Sequence, residues 1–143
     1  MFYFERFNNH QNAQNLCKKQ LPDIEKKMQQ LHDGKQYPIG EVQFLKEAAA
    51  QVVTCRRILK YTYSFGYYIE AGPEKNLFEH LQEKLEENTE HLHELVEKNL
   101  SPFLDEEETD RAPFYHYKSE LTNFYQVTKT FLTTLLDGIT IGL

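Results

Sequence analysis

The chain has 143 residues, of which 40% are hydrophobic and 27% charged, and it carries a net charge of −6 with a pI of about 5.5. This length suits one domain with a sizeable core, and the composition excludes a disordered chain or a membrane protein. The acidic balance argues against nucleic acid as the main partner.

Residues 2–31 predict a first helix with an aromatic start. Its later apolar residues, which include Ile24 and Met28, follow helical spacing. Pro22 lacks a backbone donor, so we expect a kink or a break close to it. The turn-forming residues 33–38 should end this helix.

Residues 39–69 predict a second helix. A three–four alternation of apolar residues from Val42 to Tyr63 is typical of a helical bundle. The last turns are rich in tyrosine and phenylalanine, and Gly72 followed by Pro73 should separate this helix from the next.

Residues 74–100 predict a third helix, whose apolar seam includes one polar residue, Asn88. Residues 101–112 predict an acidic loop. The fourth helix should begin at Pro113, a favourable residue for a first turn, and end at Gly138.

These segments predict an all-α protein. We expect an elongated antiparallel helical bundle of about four long helices, the first of which is kinked near Pro22. A single domain would span residues 1–143, with residues 139–143 unassigned.

Acidic residues are concentrated in the third helix and the loop after it. Residues 74–110 hold 13 of the 22 acidic residues and 3 of the 16 basic ones, a net of −10, so the remainder carries +4. Both a solvated helix face and a docking surface explain this distribution. Glu79 and Glu90 are 11 residues apart, which places them about 20° apart around a helix and about 16 Å along it. They could therefore present one acidic stripe.

Catalytic and metal chemistry find little support in the sequence. Glu90 and His93 form one Glu-x-x-His motif, whereas a di-iron bundle needs two. The two cysteines, Cys17 and Cys55, lie in no catalytic signature and are too few for a disulfide framework or a tetrahedral zinc site. We therefore expect an interaction function, with no metal and no catalytic residue in this chain.

Three stretches of the chain resemble the Ariadne domain of ring-between-ring (RBR) E3 ubiquitin ligases. They are residues 4–10 (FERFNNH), residues 41–48 (EVQFLKEA) and residues 55–68 (CRRILKYTYSFGYY). Residues 64–79 are also similar to the Ariadne-2 branch of that family. The resemblance covers about residues 1–100, and the remainder matches only as a helix of suitable length.

The resemblance implies a regulatory domain cut from the C-terminal part of a longer ligase. In this family an upstream catalytic domain, called RING2 or Rcat, takes ubiquitin from an E2 as a thioester on a cysteine. The Ariadne domain packs on that catalytic domain and inhibits it, and a neddylated cullin–RING ligase relieves the inhibition. The implied zinc lies in the parent's RING domains, which also receive E2–ubiquitin. The implied location is the cytoplasm or the nucleus, with no membrane partner.

The resemblance also implies site residues for this inhibition. Two acidic residues of the family's third helix match Glu79 and Glu90, and a Phe-Glu pair of its first helix matches Leu16 and Cys17. A leucine keeps the apolar contact, but a cysteine cannot supply the charge. A serine proposed as a phospho-switch aligns with Ala13, so that form of control should be absent.

An alternative function is that of a module that recruits a substrate or adaptor peptide. An aromatic-rich groove could bind such a peptide, although core packing also explains these side chains. The candidate groove residues are Phe4, Phe7, Tyr61, Tyr63, Phe65, Tyr67 and Tyr68.

Overall fold

The computed structural model describes residues 2–66, 71–105 and 109–140, with the side chains of residues 5–65, 71–105 and 109–139. These residues form helices and no strand, and four of the helices are long, which confirms the all-α prediction. The elements are α1 (Phe2–Lys35), α2 (Ile39–Val42), α3 (Phe44–Gly66), α4 (Pro73–Glu97), α5 (Ser101–Leu104) and α6 (Ala112–Thr140).

Contacts along the helices give their directions. Gln11 of α1 accepts a hydrogen bond from Lys60 of α3, while Cys17, further along α1, contacts the earlier residue Ala49, so α1 and α3 are antiparallel. Contacts between α3 and α4, and between α4 and α6, give the same relation. The bundle is therefore antiparallel, as predicted. With 34 residues, α1 is about 50 Å long, which makes the bundle elongated.

The core consists of two apolar clusters. The larger one joins α1, α2, α3, α4 and α6, and the smaller one joins α3, α4 and α6. Buried polar residues lie between them, including Arg56 on α3, Thr89 on α4 and Thr128 on α6. This arrangement places charged and hydroxyl groups in the interior of the bundle, among the apolar residues of α3, α4 and α6.

The first helix differs from its prediction at both Pro22 and its end. Pro22 lies inside one continuous helix, α1, so the predicted break does not occur, and the kink stays a prediction. The helix also continues past residue 31 to Lys35, and the chain turns at Gln36, whose φ is 58°. Tyr37 then stacks on Phe114 with ring centroids 4.2 Å apart. The turn at Gln36 lies within residues 33–38, where the sequence predicts the end of this helix.

Other boundaries shift by a few residues. The second predicted helix is interrupted at Gln43 into α2 and α3, and its predicted end, residues 67–69, lies outside the described residues. The third helix ends at Glu97 rather than residue 100, and the predicted acidic loop contains α5. The last helix passes through Gly138 to Thr140, which places part of the unassigned tail in α6.

The buried polar residues of α4 are Gln82, Thr89 and His93, whereas the predicted Asn88 is only half-buried. Asn88 donates a hydrogen bond to the carbonyl of Lys84 within its own helix. Gln82 instead donates to the hydroxyl of Thr62 on α3 at 3.0 Å, so it links two helices.

Candidate functional site

One side of α4 carries four glutamates, of which the last three contact side chains of α1 or α3. They lie seven, four and seven residues apart, so their directions around the helix stay within about 40° of one another. Both α1 and α4 pack on α3, and long side chains bridge the gap between them. We call this side the α1–α4 edge. Its residues are Leu16 and Gln20 on α1 and Glu79, Glu86, Glu90 and Glu97 on α4.

Glu86 is the least exposed acid of the edge, with 12% of its side chain exposed. Its carboxylate lies 2.8 Å from Arg6 Nη1 and 3.3 Å from His10 Nε2, and it accepts a hydrogen bond from the hydroxyl of Tyr63. Burial by itself would raise the pKa of Glu86, but the contacts with His10, Tyr63 and Arg6 together lower it to about 2. Glu86 therefore joins α1, α3 and α4 as an ionised group.

Arg56 lies behind the edge, with 7% of the residue exposed. Its guanidinium contacts His10 Nδ1 at 3.1 Å and His93 Nδ1 at 3.4 Å, and Nη1 lies 3.9 Å from Glu90 Oε1. Burial lowers the pKa of Arg56, while the carboxylates of Glu90 and Glu86 oppose that shift. Arg56 is thus a buried cation beneath an acidic surface.

The contacts of Arg56 also determine the tautomer of the histidine rings. A guanidinium has donors and no acceptor, so Nδ1 of His10 and Nδ1 of His93 must both accept. The proton of each neutral ring is then on Nε2. In His93, Nε2 lies 3.1 Å from Glu97 Oε1. Burial, together with the positive charge of Arg56, lowers the pKa of His93, although Glu97 opposes this.

The exposed part of the edge contains the residues that the sequence predicted. Glu79 is exposed, and 56% of the Glu90 side chain is exposed despite its contact with Arg56. Leu16 is 49% exposed and lies one turn before Gln20, which donates a hydrogen bond to Glu97 at 3.0 Å. The fold therefore brings all three predicted interface residues to one side of the bundle. An exposed apolar side chain and two exposed carboxylates on one side of the bundle can contact apolar and basic side chains of a partner.

The two cysteines are buried and lie away from this exposed surface. Cys17 points into the core, where Sγ lies 3.6 Å from the carbonyl oxygen of Ala49. Burial raises the pKa of both thiols, Cys17 and Cys55, to about 11. Neither is a thiolate near neutral pH, so neither has the properties of a nucleophile.

The aromatic candidates divide into two environments. Tyr61 is 58% exposed and its ring meets that of Phe7 edge to face, with Lys60 Nζ 4.6 Å from the Tyr61 centroid. Tyr63 is 3% exposed and belongs to the core, where it stacks on His10, so it does not line an open groove.

The remaining groove candidates are only partly described. Phe65 is 38% exposed and packs against Phe78, with ring centroids 5.5 Å apart. Tyr67, Tyr68 and the side chain of Phe4 lie outside the described residues. A continuous aromatic groove therefore stays a prediction.

Sequence reasoning missed the buried polar network that supports the edge. Arg6 and His10 are one turn apart, as are Glu86 and Glu90, so spacing indicated two polar stripes. A second signal was Arg56, a charged residue at a step of the apolar seam of α3. Which stripes face each other depends on how α1 and α4 pack on α3, and spacing does not give that.

The described ranges contain neither a membrane-spanning helix nor a metal-binding cluster. No helix there combines the length and apolarity needed to cross a membrane. Residues 2–66, 71–105 and 109–140 also hold no group of three or more histidine, cysteine, aspartate or glutamate side chains arranged to bind a metal ion.

Comparison with known proteins identifies similar sequences. The family model for the Ariadne domain matches residues 1–112. The chain is 35% identical over 144 aligned positions to the probable E3 ubiquitin-protein ligase rbrA of Dictyostelium discoideum, which covers 100% of this chain and 27% of that protein.

Similar proteins also occur in a plant and a mammal. The identity is 33% to the probable E3 ubiquitin-protein ligase ARI10 of Arabidopsis thaliana, over 87% of this chain and 25% of that protein. It is 38% to the E3 ubiquitin-protein ligase ARIH2 of Mus musculus, over 63% of this chain and 18% of that protein. The chain thus spans about a quarter or less of the length of these relatives.

Proposed function

The chain belongs to the Ariadne domain family, and on this basis we propose that it is the regulatory domain of an RBR E3 ubiquitin ligase. It packs on the catalytic RING2 (Rcat) domain of the same ligase and inhibits ubiquitin transfer, and binding of a neddylated cullin–RING ligase releases it. The observation that carries the proposal is the α1–α4 edge, where exposed Leu16, Glu79 and Glu90 lie on one side of the bundle.

The edge suits a partner surface that combines basic and apolar side chains. Arginine or lysine of the catalytic domain pairs with Glu79 and Glu90, and Leu16 packs into an apolar recess of the same domain. Truncating one member of a desolvated charge pair costs about 2–5 kcal/mol, whereas a solvent-exposed pair is worth about 0–1 kcal/mol. Packing of the catalytic domain removes water from the edge, so the contribution of the two glutamates lies towards the larger value.

The domain includes α6, beyond the stretch that the family model matches. Tyr117 of α6 is buried and its hydroxyl donates a hydrogen bond to the carbonyl of Leu95 on α4 at 2.5 Å. The similarity to the Dictyostelium protein also extends over the whole chain. We therefore assign residues 1–143 to one regulatory domain.

The remaining partners belong to the parent ligase. Zinc is held in its RING domains, which also receive E2–ubiquitin, and the catalytic cysteine lies there too. We propose the cytoplasm or the nucleus as its location.

The test is ubiquitin discharge by the full-length ligase. Glu79→Ala combined with Glu90→Ala should raise the rate of autoubiquitination about tenfold or more without the cullin activator, because the inhibitory contact loses its charge complement. A matched control removes two acids that lie off the edge, Glu87→Ala with Glu120→Ala, and should leave the rate unchanged. If the edge variant reacts no faster than wild type, the assignment is wrong.

A second candidate function rests on the exposed Tyr61 and its neighbour Phe7. We propose as the alternative that this aromatic pair, with Lys60 beside it, recruits a substrate or adaptor peptide. Tyr61→Ala should then reduce ubiquitination of that substrate while autoubiquitination stays at the wild-type rate. A change in autoubiquitination alone would count against the recruiting role.

A further inference from the structure

Glu90 differs from an ordinary surface glutamate because a buried cation lies directly behind it. Arg56 Nη1 is 3.9 Å from Glu90 Oε1, and Arg56 is 7% exposed while more than half of the Glu90 side chain is exposed. Glu90 therefore has one carboxylate oxygen towards the core and enough exposed surface to contact a partner.

The other contacts of Arg56 are neutral. His10 Nδ1 and His93 Nδ1 accept its N–H groups, and an accepting Nδ1 carries no proton. Within the described residues, the carboxylate that forms an ion pair with Arg56 is that of Glu90. The charge of Arg56 is thus balanced chiefly from the surface side.

Glu86, one turn before Glu90, has different partners. It contacts Arg6, His10 and the hydroxyl of Tyr63, so its acceptor positions are largely occupied within the core. Of the two neighbouring acids, Glu86 contacts mainly groups inside the bundle. Glu90 contacts a buried cation on one side and is exposed on the other.

We propose that Arg56 is a positioning residue: it orients the Glu90 carboxylate for the partner surface. This inference rests on the proposed function, in which Glu90 contacts the catalytic domain. It adds that the strength of this contact depends on Arg56 in the core. A glutamate held in its bound orientation loses less side-chain freedom on association. Since Arg56 touches residues of α1 and α4, the orientation of Glu90 depends on the packing of three helices.

The experiment is a double-mutant cycle in the full-length ligase, with initial autoubiquitination rate as the readout and no cullin activator. Glu90→Gln and Arg56→Gln should each raise the rate between about threefold and thirtyfold. The double variant should be no faster than the faster single variant, because both changes act on one contact: Glu90→Gln removes the carboxylate, and Arg56→Gln removes the group that orients it. Arg57→Gln, an exposed neighbour of the same charge, should leave the rate unchanged.

A second cycle with Glu79 separates positioning from general loss of structure. Glu79 lies about 16 Å from Glu90 along α4, and effects at such distances usually combine independently. Arg56→Gln and Glu79→Gln should therefore multiply. If Arg56→Gln cancels the effect of Glu79→Gln as well, it has disrupted the whole domain, and the positioning role is overturned.

Arg56→Lys provides a variant that keeps the cation if Arg56→Gln fails to fold. It should raise the rate less than Glu90→Gln does, and its effect should disappear in a Glu90→Gln background. Independent effects of Arg56→Lys and Glu90→Gln would overturn the positioning role while leaving the proposed function intact. A wild-type rate for Glu90→Gln would overturn both.

Discussion

Neighbouring glutamates on α4 have different roles because of what faces them, although the sequence presents them alike. Glu86 and Glu90 are one turn apart in the same acidic segment, yet one is surrounded by Arg6, His10 and Tyr63 and the other is mostly exposed. Their charge and spacing were predictable from the sequence. Their environments were not, because they depend on side chains that lie 23 to 80 residues away along the chain.

The buried position of Glu86 leads to a prediction about stability. Glu86→Ala should lower the free energy of unfolding by about 2–4 kcal/mol, because it removes the carboxylate that accepts from the Tyr63 hydroxyl and lies beside His10 and Arg6. Urea denaturation measures this as a shift of the midpoint at constant slope. The adjacent Glu87→Ala is the control and should cost less than about 1 kcal/mol, since Glu87 is exposed and pairs only with nearby Lys84. Equal effects of the two variants would contradict the structural role of Glu86.

A residue-by-residue alignment with the family can also mislead when burial is unknown. The resemblance placed Leu16 and Cys17 together at the inhibitory contact, but successive residues on a helix point about 100° apart. Leu16 is exposed, whereas Cys17 is fully buried against α3. The missing charge at Cys17 is therefore a difference in the core of this chain, and Leu16 is the residue of that pair that a partner can contact.

At the level of elements, helix boundaries followed local signals only where packing agreed with them. Pro73 begins α4 and Ala112, followed by Pro113, begins α6, as expected for prolines in a first turn. Gly34, by contrast, stays inside α1, and the left-handed residue that ends α1 is Gln36. The next residue, Tyr37, is buried and stacks on Phe114, so the turn is followed directly by packing against α6.

The conformation of Gln36 leads to a prediction for the end of α1. A residue with a side chain is disfavoured at a φ of 58°, so Gln36→Gly should raise the free energy of unfolding by about 0.5–1 kcal/mol. Gln36→Val should lower it by about 1 kcal/mol or more, since β-branched residues tolerate this region least. Thermal unfolding distinguishes the two, because about 1 kcal/mol shifts the melting temperature of a domain this size by about 2–4 °C. A glycine variant less stable than wild type would refute the assignment of the turn.

At the level of the whole molecule, charge separates into an acidic segment and a basic remainder. Residues 74–110 carry −10 and the rest +4. The fold brings part of each together, because Arg6 and Arg56, from the remainder, meet Glu86 and Glu90 along the α1–α4 edge. The acidic segment thus contributes to internal stability as well as to the exposed surface.

The same network makes the stability of the bundle depend on pH. The pKa of His93 is lowered below its ordinary value of 6.5, so the folded state favours the neutral ring, and this stabilisation is lost as pH falls below about 6.5. Physically, a second proton on His93 would turn an N–H group towards Arg56. The lowered pKa of Glu86 adds a stabilisation that is present above 4.5 and lost as pH falls from there towards about 2.

The urea midpoint should fall in two steps as the pH decreases from 7.5. The first step begins below about pH 6.5 and comes from His93, and the second begins below 4.5 and comes from Glu86. His93→Gln is the matched control, since an amide can accept from Arg56 and does not titrate. This variant should lose the part of the dependence that begins as pH falls below about 6.5 and keep the part below 4.5. An identical profile for wild type and His93→Gln would show that His93 does not contribute.

The sequence alone determined the helical class, the four long helices, the acidic stripe and the family, because hydrophobic periodicity and short motifs depend on residues close together in the chain. Tertiary structure alone decided that Tyr63 and Cys17 are buried, that Glu86 is enclosed and that Arg56 lies behind Glu90. Helical spacing gives the direction of a side chain around its own axis. Which helix occupies that direction depends on how α1 and α4 pack on α3, and that packing sets which charges are paired and which remain at the surface.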